Sequence, residues 1–147
     1  MKVWDGIIAV SASLIDVVLV GKLNKMRNGI HFNKEKSYRT QQELQKSLKN
    51  GKKQLGIENL VIDIESWDQP ITFCRRVDKN NYQIILCTLY RRAFSLNHEL
   101  YHIKKMYERE SMVLKESSNL FVEAFKYCLE EWNATSYAIK RAQEEGR

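Results

Sequence analysis

The chain has 147 residues, 44% of them hydrophobic and 29% charged, with a formal net charge of +6. That balance excludes a disordered or fibrous chain and suits one soluble domain, spanning residues 1–147, with a core of its own. Its cysteines, Cys74, Cys87 and Cys128, are an odd set without C-x-x-C spacing, which argues against a disulfide framework or a cysteine zinc site and points to a reducing, cytoplasmic setting.

Residues 7–20 are apolar apart from Ser11, Ser13 and Asp16. A membrane span takes about 20 residues, so this segment is short for one, and Asp16 would be costly in lipid. No small-residue cleavage site clearly follows it. It reads as a buried helix, with a two-strand alternative because of the β-branched run Val17-Val18-Leu19-Val20. Asn28-Gly29 closes it as a turn, and residues 30–39 read as a polar connector. The positive charge is concentrated at this end: residues 1–56 carry 11 basic and 4 acidic side chains, against 13 and 14 in the remainder. Lys22, Lys25, Arg27, Lys34, Lys36 and Arg39 cluster, followed by Lys46, Lys49, Lys52 and Lys53. Such a face is either solvated or a surface for nucleic acid or an acidic partner. No recognition motif accompanies it, which favours the solvated reading.

Thr40-Gln41-Gln42-Glu43 is a capping box, and Leu44, Leu48 and Leu55 follow on one helical face, with Gly56 as a left-handed stop. Residues 59–64 read as a strand. Residues 71–75 and 82–87 read as an antiparallel pair around Lys79-Asn80-Asn81. No glycine or proline interrupts residues 89–114, where Phe94, Leu96, Leu100, Ile103 and Tyr107 recur at helical spacing. A second uninterrupted run, residues 118–143, has an apolar stripe at Leu120, Ala124, Tyr127, Cys128, Ala134, Ala138 and Ala142. The order of helix, small sheet, helix and long helix predicts an α+β fold.

The chemistry lies in His98-Glu99-Leu100-Tyr101-His102. Histidines four apart on a helix point the same way and can grip one metal ion, while the intervening glutamate reaches a metal-bound water. The bland alternative is a surface helix with two solvated histidines. A catalytic zinc site takes three protein ligands and leaves one position open. The third histidine, His31, lies far upstream, so a carboxylate is the better candidate. Glu131 falls on the apolar stripe of the last helix, where its charge needs compensation, and a metal cation would supply it. Alternatively, Glu131 sits at the stripe's edge and meets solvent or an arginine. Glu123 and Glu130 fall on the polar face with Lys126, Asn133, Lys140 and Glu144, and are weaker candidates.

The run from Arg91 to His102, R-R-A-F-S-L-N-H-E-L-Y-H, resembles the active-site stretch of the ImmA/IrrE family of small metallopeptidases, which typically reads R-R-F-T-L-A-H-E-L-G-H. The family's second motif, E-x-x-A-N-x-F-A, is similar to Glu131-Trp132-Asn133-Ala134-Thr135-Ser136-Tyr137-Ala138, with Thr135 for Asn and Tyr137 for Phe. The likeness spans roughly residues 37–142, leaving 1–36 as an extra apolar segment and connector. It implies a zincin-like fold, Zn2+ held by His98, His102 and Glu131, and Glu99 as general base. The implied activity is hydrolysis of peptide bonds by water activated between zinc and Glu99, acting on a regulatory protein such as a phage-type repressor. Tyr101 stands where the family has glycine, so it is expected to swing outward or reshape the cleft. Tyr101, Tyr107, Tyr127 and Tyr137 are the candidate donors to an oxyanion. The other class of function compatible with the chain is a non-catalytic regulatory or nucleic-acid-binding module that uses the basic first third.

Overall fold

A computed structural model describes residues 37–69, 71–88, 92–111 and 120–146; the apolar segment 7–20 and the connector up to residue 36 lie outside these. Helix α1 (Gln41–Leu55) begins at the expected capping box. Thr40 Oγ1 accepts from the Glu43 amide at 3.2 Å, and the Glu43 carboxylate accepts from the Thr40 amide at 3.4 Å. It ends at Gly56, whose φ of 68° favours glycine. Leu44, Ser47, Leu48 and Gly51 form its buried face. A β-carbon at Gly51 would stand 2.6 Å from Leu100 Cδ1 of the second helix, so glycine lets the two backbones approach.

Three strands form a sheet of order β1-β3-β2: β1 (Val61–Trp67), β2 (Phe73–Arg76) and β3 (Asn81–Cys87). β2 and β3 form the expected antiparallel hairpin, with Cys74 opposite Ile84. Asp78 closes its turn by accepting from the Asn80 and Asn81 amides at 3.2 and 3.1 Å. β1 runs parallel to β3, with Ile64 opposite Ile84, so the sheet is mixed. Strand alternation turns Ile62, Tyr82, Ile84 and Leu86 into the core. On the opposite face Trp67 and Phe73 meet edge to face at 5.4 Å.

Helix α2 (Ala93–Ser111) buries Ala93, Leu96, Leu100 and Ile103, the spacing of one helical face. Helix α3 (Leu120–Glu145) packs along it through the buried small residues Ala134, Ala138 and Ala142. The architecture is thus α+β, with three helices and a small mixed sheet among the described residues. None of these helices is long and apolar enough to cross a membrane. Two sequence expectations are corrected. Tyr127, placed on the apolar stripe of α3, is 50% exposed. Tyr38, placed in a polar connector, is buried in the core.

Tyr38 is drawn in by a carboxylate at the far end of the chain. Glu145 accepts from Tyr38 Oη at 2.8 Å, Ser47 Oγ at 2.8 Å, Asn97 Nδ2 at 3.1 Å and Arg141 Nη2 at 3.4 Å. One side chain therefore ties α1, α2 and α3 together. Truncating a buried, charge-assisted hub strands its donors and typically costs about 3–5 kcal/mol. Tyr38 and Ser47 can still bond each other, at 2.6 Å, so Glu145→Ala is expected near the lower end, about 3 kcal/mol in urea unfolding. A loss under about 1 kcal/mol would show that the hub contributes no more than a surface pair.

Candidate metal centre

The candidate ligands are divided between α2 and α3. In α2, His98 and His102 lie one turn apart, so their rings leave the same face, with centroids 4.7 Å apart. Phe94, one turn earlier, stacks on His98 at 5.7 Å. From α3, Glu131 Oε2 lies 3.5 Å from His98 Nε2 and its Oε1 3.2 Å from His102 Nε2. The two Nε2 atoms are 3.1 Å apart. His98, His102 and Glu131 thus each turn one ligand atom toward the others, all within 4.8 Å. Tetrahedral coordination with bonds of ~2.0–2.1 Å separates its ligand atoms by about 3.3–3.4 Å; the two Nε2 atoms stand close to that spacing, and each faces a different oxygen of the Glu131 carboxylate.

The outer ring nitrogens explain why the inner ones point inward. His102 Nδ1 lies 3.0 Å from Glu130 Oε1. A carboxylate only accepts, so a proton on Nδ1 would satisfy Glu130 and leave Nε2 of the neutral ring to present a lone pair. His98 Nδ1 faces Thr135 Oγ1 at 3.5 Å. Burial pushes the Glu131 carboxyl up, but His102 and His98 beside it outweigh that and bring it down to about 2. At neutral pH an ionised carboxylate and two ring nitrogens therefore converge. A metal ion among them would offset the carboxylate's charge.

Glu99 stands apart from the ligand group. It is 7% exposed. Burial pushes its carboxyl up, against the opposing effects of His98, a hydrogen bond from the Cys74 thiol, and His102. Cys74 projects from β2 on the helix-facing side of the sheet. Its thiol is pushed up by burial and by Glu99, so it stays protonated and donates to the Glu99 carboxylate.

Glu130 requires a correction. Assigned from the sequence to the polar face, it has a side chain only 11% exposed, held between His102 Nδ1 and the Arg109 guanidinium. The seam between α2 and α3 is wide enough to take in two consecutive glutamates. Arg109, seven residues after His102 and so on the same face of α2, was the available sequence signal. Glu123 remains outside, 51% exposed and paired with Lys126 at 2.9 Å. Tyr101 turns toward α3, with its ring 5.7 Å from that of Tyr137 and Lys105 Nζ 5.7 Å from its centroid. Tyr107 Oη accepts from Asn59 Nδ2 at 3.2 Å. Of the basic cluster, Lys46, Lys49 and Lys53 are exposed on α1, and Lys52 donates to the Leu60 carbonyl. Cys74, Cys87 and Cys128 are free.

No family model, curated protein or solved structure matches this chain.

Proposed function

We propose that this protein is a zinc-dependent metallopeptidase, with His98, His102 and Glu131 as metal ligands and Glu99 as general base. The observation that carries this reading is the convergence of two imidazole Nε2 atoms and one ionised carboxylate at 3.1–3.5 Å. Two nitrogens and one oxygen form a donor set that suits zinc and leaves a fourth position open. Zinc held there would supply a Lewis acid that lowers the pKa of a bound water towards ~7 and polarises a carbonyl. Glu99 adds what the ligands lack. Its carboxylate lies next to them in the chain, is not spent on the ligand set, and is held by the Cys74 thiol. It takes the proton of the attacking water and returns it to the departing amine.

Access for a peptide comes from the sheet. Among the described residues β2 pairs with β3 alone and lies at an edge of the sheet, and the Cys74 thiol on β2 meets Glu99. An extended chain added to that edge passes close to the general base, with its backbone held by strand hydrogen bonds. The substrate is then a peptide or protein segment in extended conformation. A regulatory protein, such as a phage-type repressor, is the class that the ImmA/IrrE resemblance implies.

The test is metal content together with cleavage. Purified protein is expected to carry about one zinc per chain and to cleave members of a proteome-derived peptide library, read as new termini by mass spectrometry. Stripping with a chelator should abolish cleavage, and stoichiometric zinc should restore it. A chain that takes up no zinc, or cleavage indifferent to the chelator, would refute the proposal.

A further inference from the structure

Glu130 and Arg109 have no part in the chemistry proposed above, yet Glu130 lies against the outer ring nitrogen of His102 and Arg109 against Glu130. His102 is flanked on both sides by consecutive residues of α3. Glu131 meets its Nε2 at 3.2 Å and Glu130 its Nδ1 at 3.0 Å. Glu130 spends one oxygen on the ring and the other on Arg109, while being only 11% exposed itself. Among the described residues His98 has no comparable support: its Nδ1 faces a neutral hydroxyl, Thr135 Oγ1, at 3.5 Å. The two imidazoles of the centre are therefore held unequally.

We infer that Glu130, neutralised by Arg109, is the positioning residue of the metal centre, fixing the tautomer and orientation of His102 so that Nε2 is committed to the metal. The inference rests on the metal-centre reading and adds a specific dependence to it. The acceptor-only carboxylate keeps the proton on Nδ1, and the bond prevents the ring from rotating about its χ2. A carboxylate in that place also strengthens Nε2 as a donor to the metal. Its cost is a second nearly buried negative charge adjacent in sequence to Glu131. Arg109 removes that cost: its guanidinium is 53% exposed, so it brings a positive charge to Glu130 without being buried itself. On this account Arg109 acts through Glu130 and Glu130 acts through His102; neither touches the metal.

The experiment measures zinc affinity of the full chain by competition with a chromophoric chelator, alongside urea unfolding of the metal-free protein and the visible spectrum of the cobalt-substituted form. Glu130→Gln retains the shape and an acceptor oxygen but loses the charge. It is expected to weaken zinc about 10–100-fold and to alter the cobalt bands, while metal-free stability changes little. Glu130→Ala should weaken zinc at least as much. Arg109→Gln, at a half-exposed position where the fold is not at risk, should weaken zinc less than Glu130→Gln and in the same direction. Equal zinc affinity in wild type and Glu130→Gln, with an unchanged cobalt spectrum, would overturn the inference and leave the ligand assignment standing. Loss of metal-free stability in both variants with no change in affinity would show a mere clamp between α2 and α3, and would overturn it as well. Absence of zinc binding in the wild type would remove the metal-centre reading itself.

Discussion

Glu99→Gln is expected to retain a full complement of zinc and to lose peptide hydrolysis by about 10²–10⁴-fold. The two halves of this result separate a base from a ligand. His98, His102 and Glu131 form the ligand group, and Glu99 is outside it, so an amide at position 99 removes nothing the metal would hold. The substitution is also mild structurally. Glu99 is 7% exposed, glutamine has almost the same volume, and its Oε1 still accepts from the Cys74 thiol. The loss is of a proton acceptor that can take a proton from water and release it to the leaving nitrogen. Zinc by elemental analysis and turnover by mass spectrometry read the two halves independently. Equal turnover by wild type and Glu99→Gln would exclude Glu99 as the base. Loss of zinc in the variant would instead move Glu99 into the ligand set and require a different carboxylate for the chemistry.

Glu131→Ala is expected to weaken zinc binding about 10²–10³-fold. A structural four-ligand zinc site is worth about 10–16 kcal/mol in total, so one ligand accounts for roughly 3–4 kcal/mol, or about 10²–10³-fold in affinity. The loss should lie at the upper end, because Glu131 is the only anion among the three. Its carboxyl is held down to about 2 by His102 and His98 despite burial, so it meets the metal already ionised and no proton has to be displaced from it at neutral pH. Glu123→Ala is the control on the same helix: that side chain is 51% exposed and paired with Lys126, and its removal should leave affinity unchanged. If Glu131→Ala bound zinc as wild type does while Glu130→Ala lost it entirely, the ligand would be the neighbouring glutamate and α3 would have to be rotated from its present setting.

What the sequence determined by itself was local. The Thr40–Glu43 capping box and the Gly56 stop bound α1 because both act through hydrogen bonds within a few residues of the chain. His98 and His102 share a face because helical periodicity alone puts residues four apart in line. Glu131 was legible for a related reason: the stripe Ala134, Ala138, Ala142 marks the packed side of α3, and a carboxylate in line with it stands out. The tertiary structure decided what depends on how elements meet. The rotation of α3 against α2 brings Glu130 as well as Glu131 into the seam and leaves Tyr127 outside, and no spacing within α3 sets that angle. The parallel pairing of β1 with β3 and the edge position of β2 arise from contacts distant in sequence, and they set Cys74 against Glu99. Glu145 reaches Tyr38 and Ser47 across most of the chain length. A side chain's neighbours within one helix follow from the 3.6-residue repeat, whereas its neighbours across a packed interface follow from the shapes of both surfaces, which only the folded chain brings together.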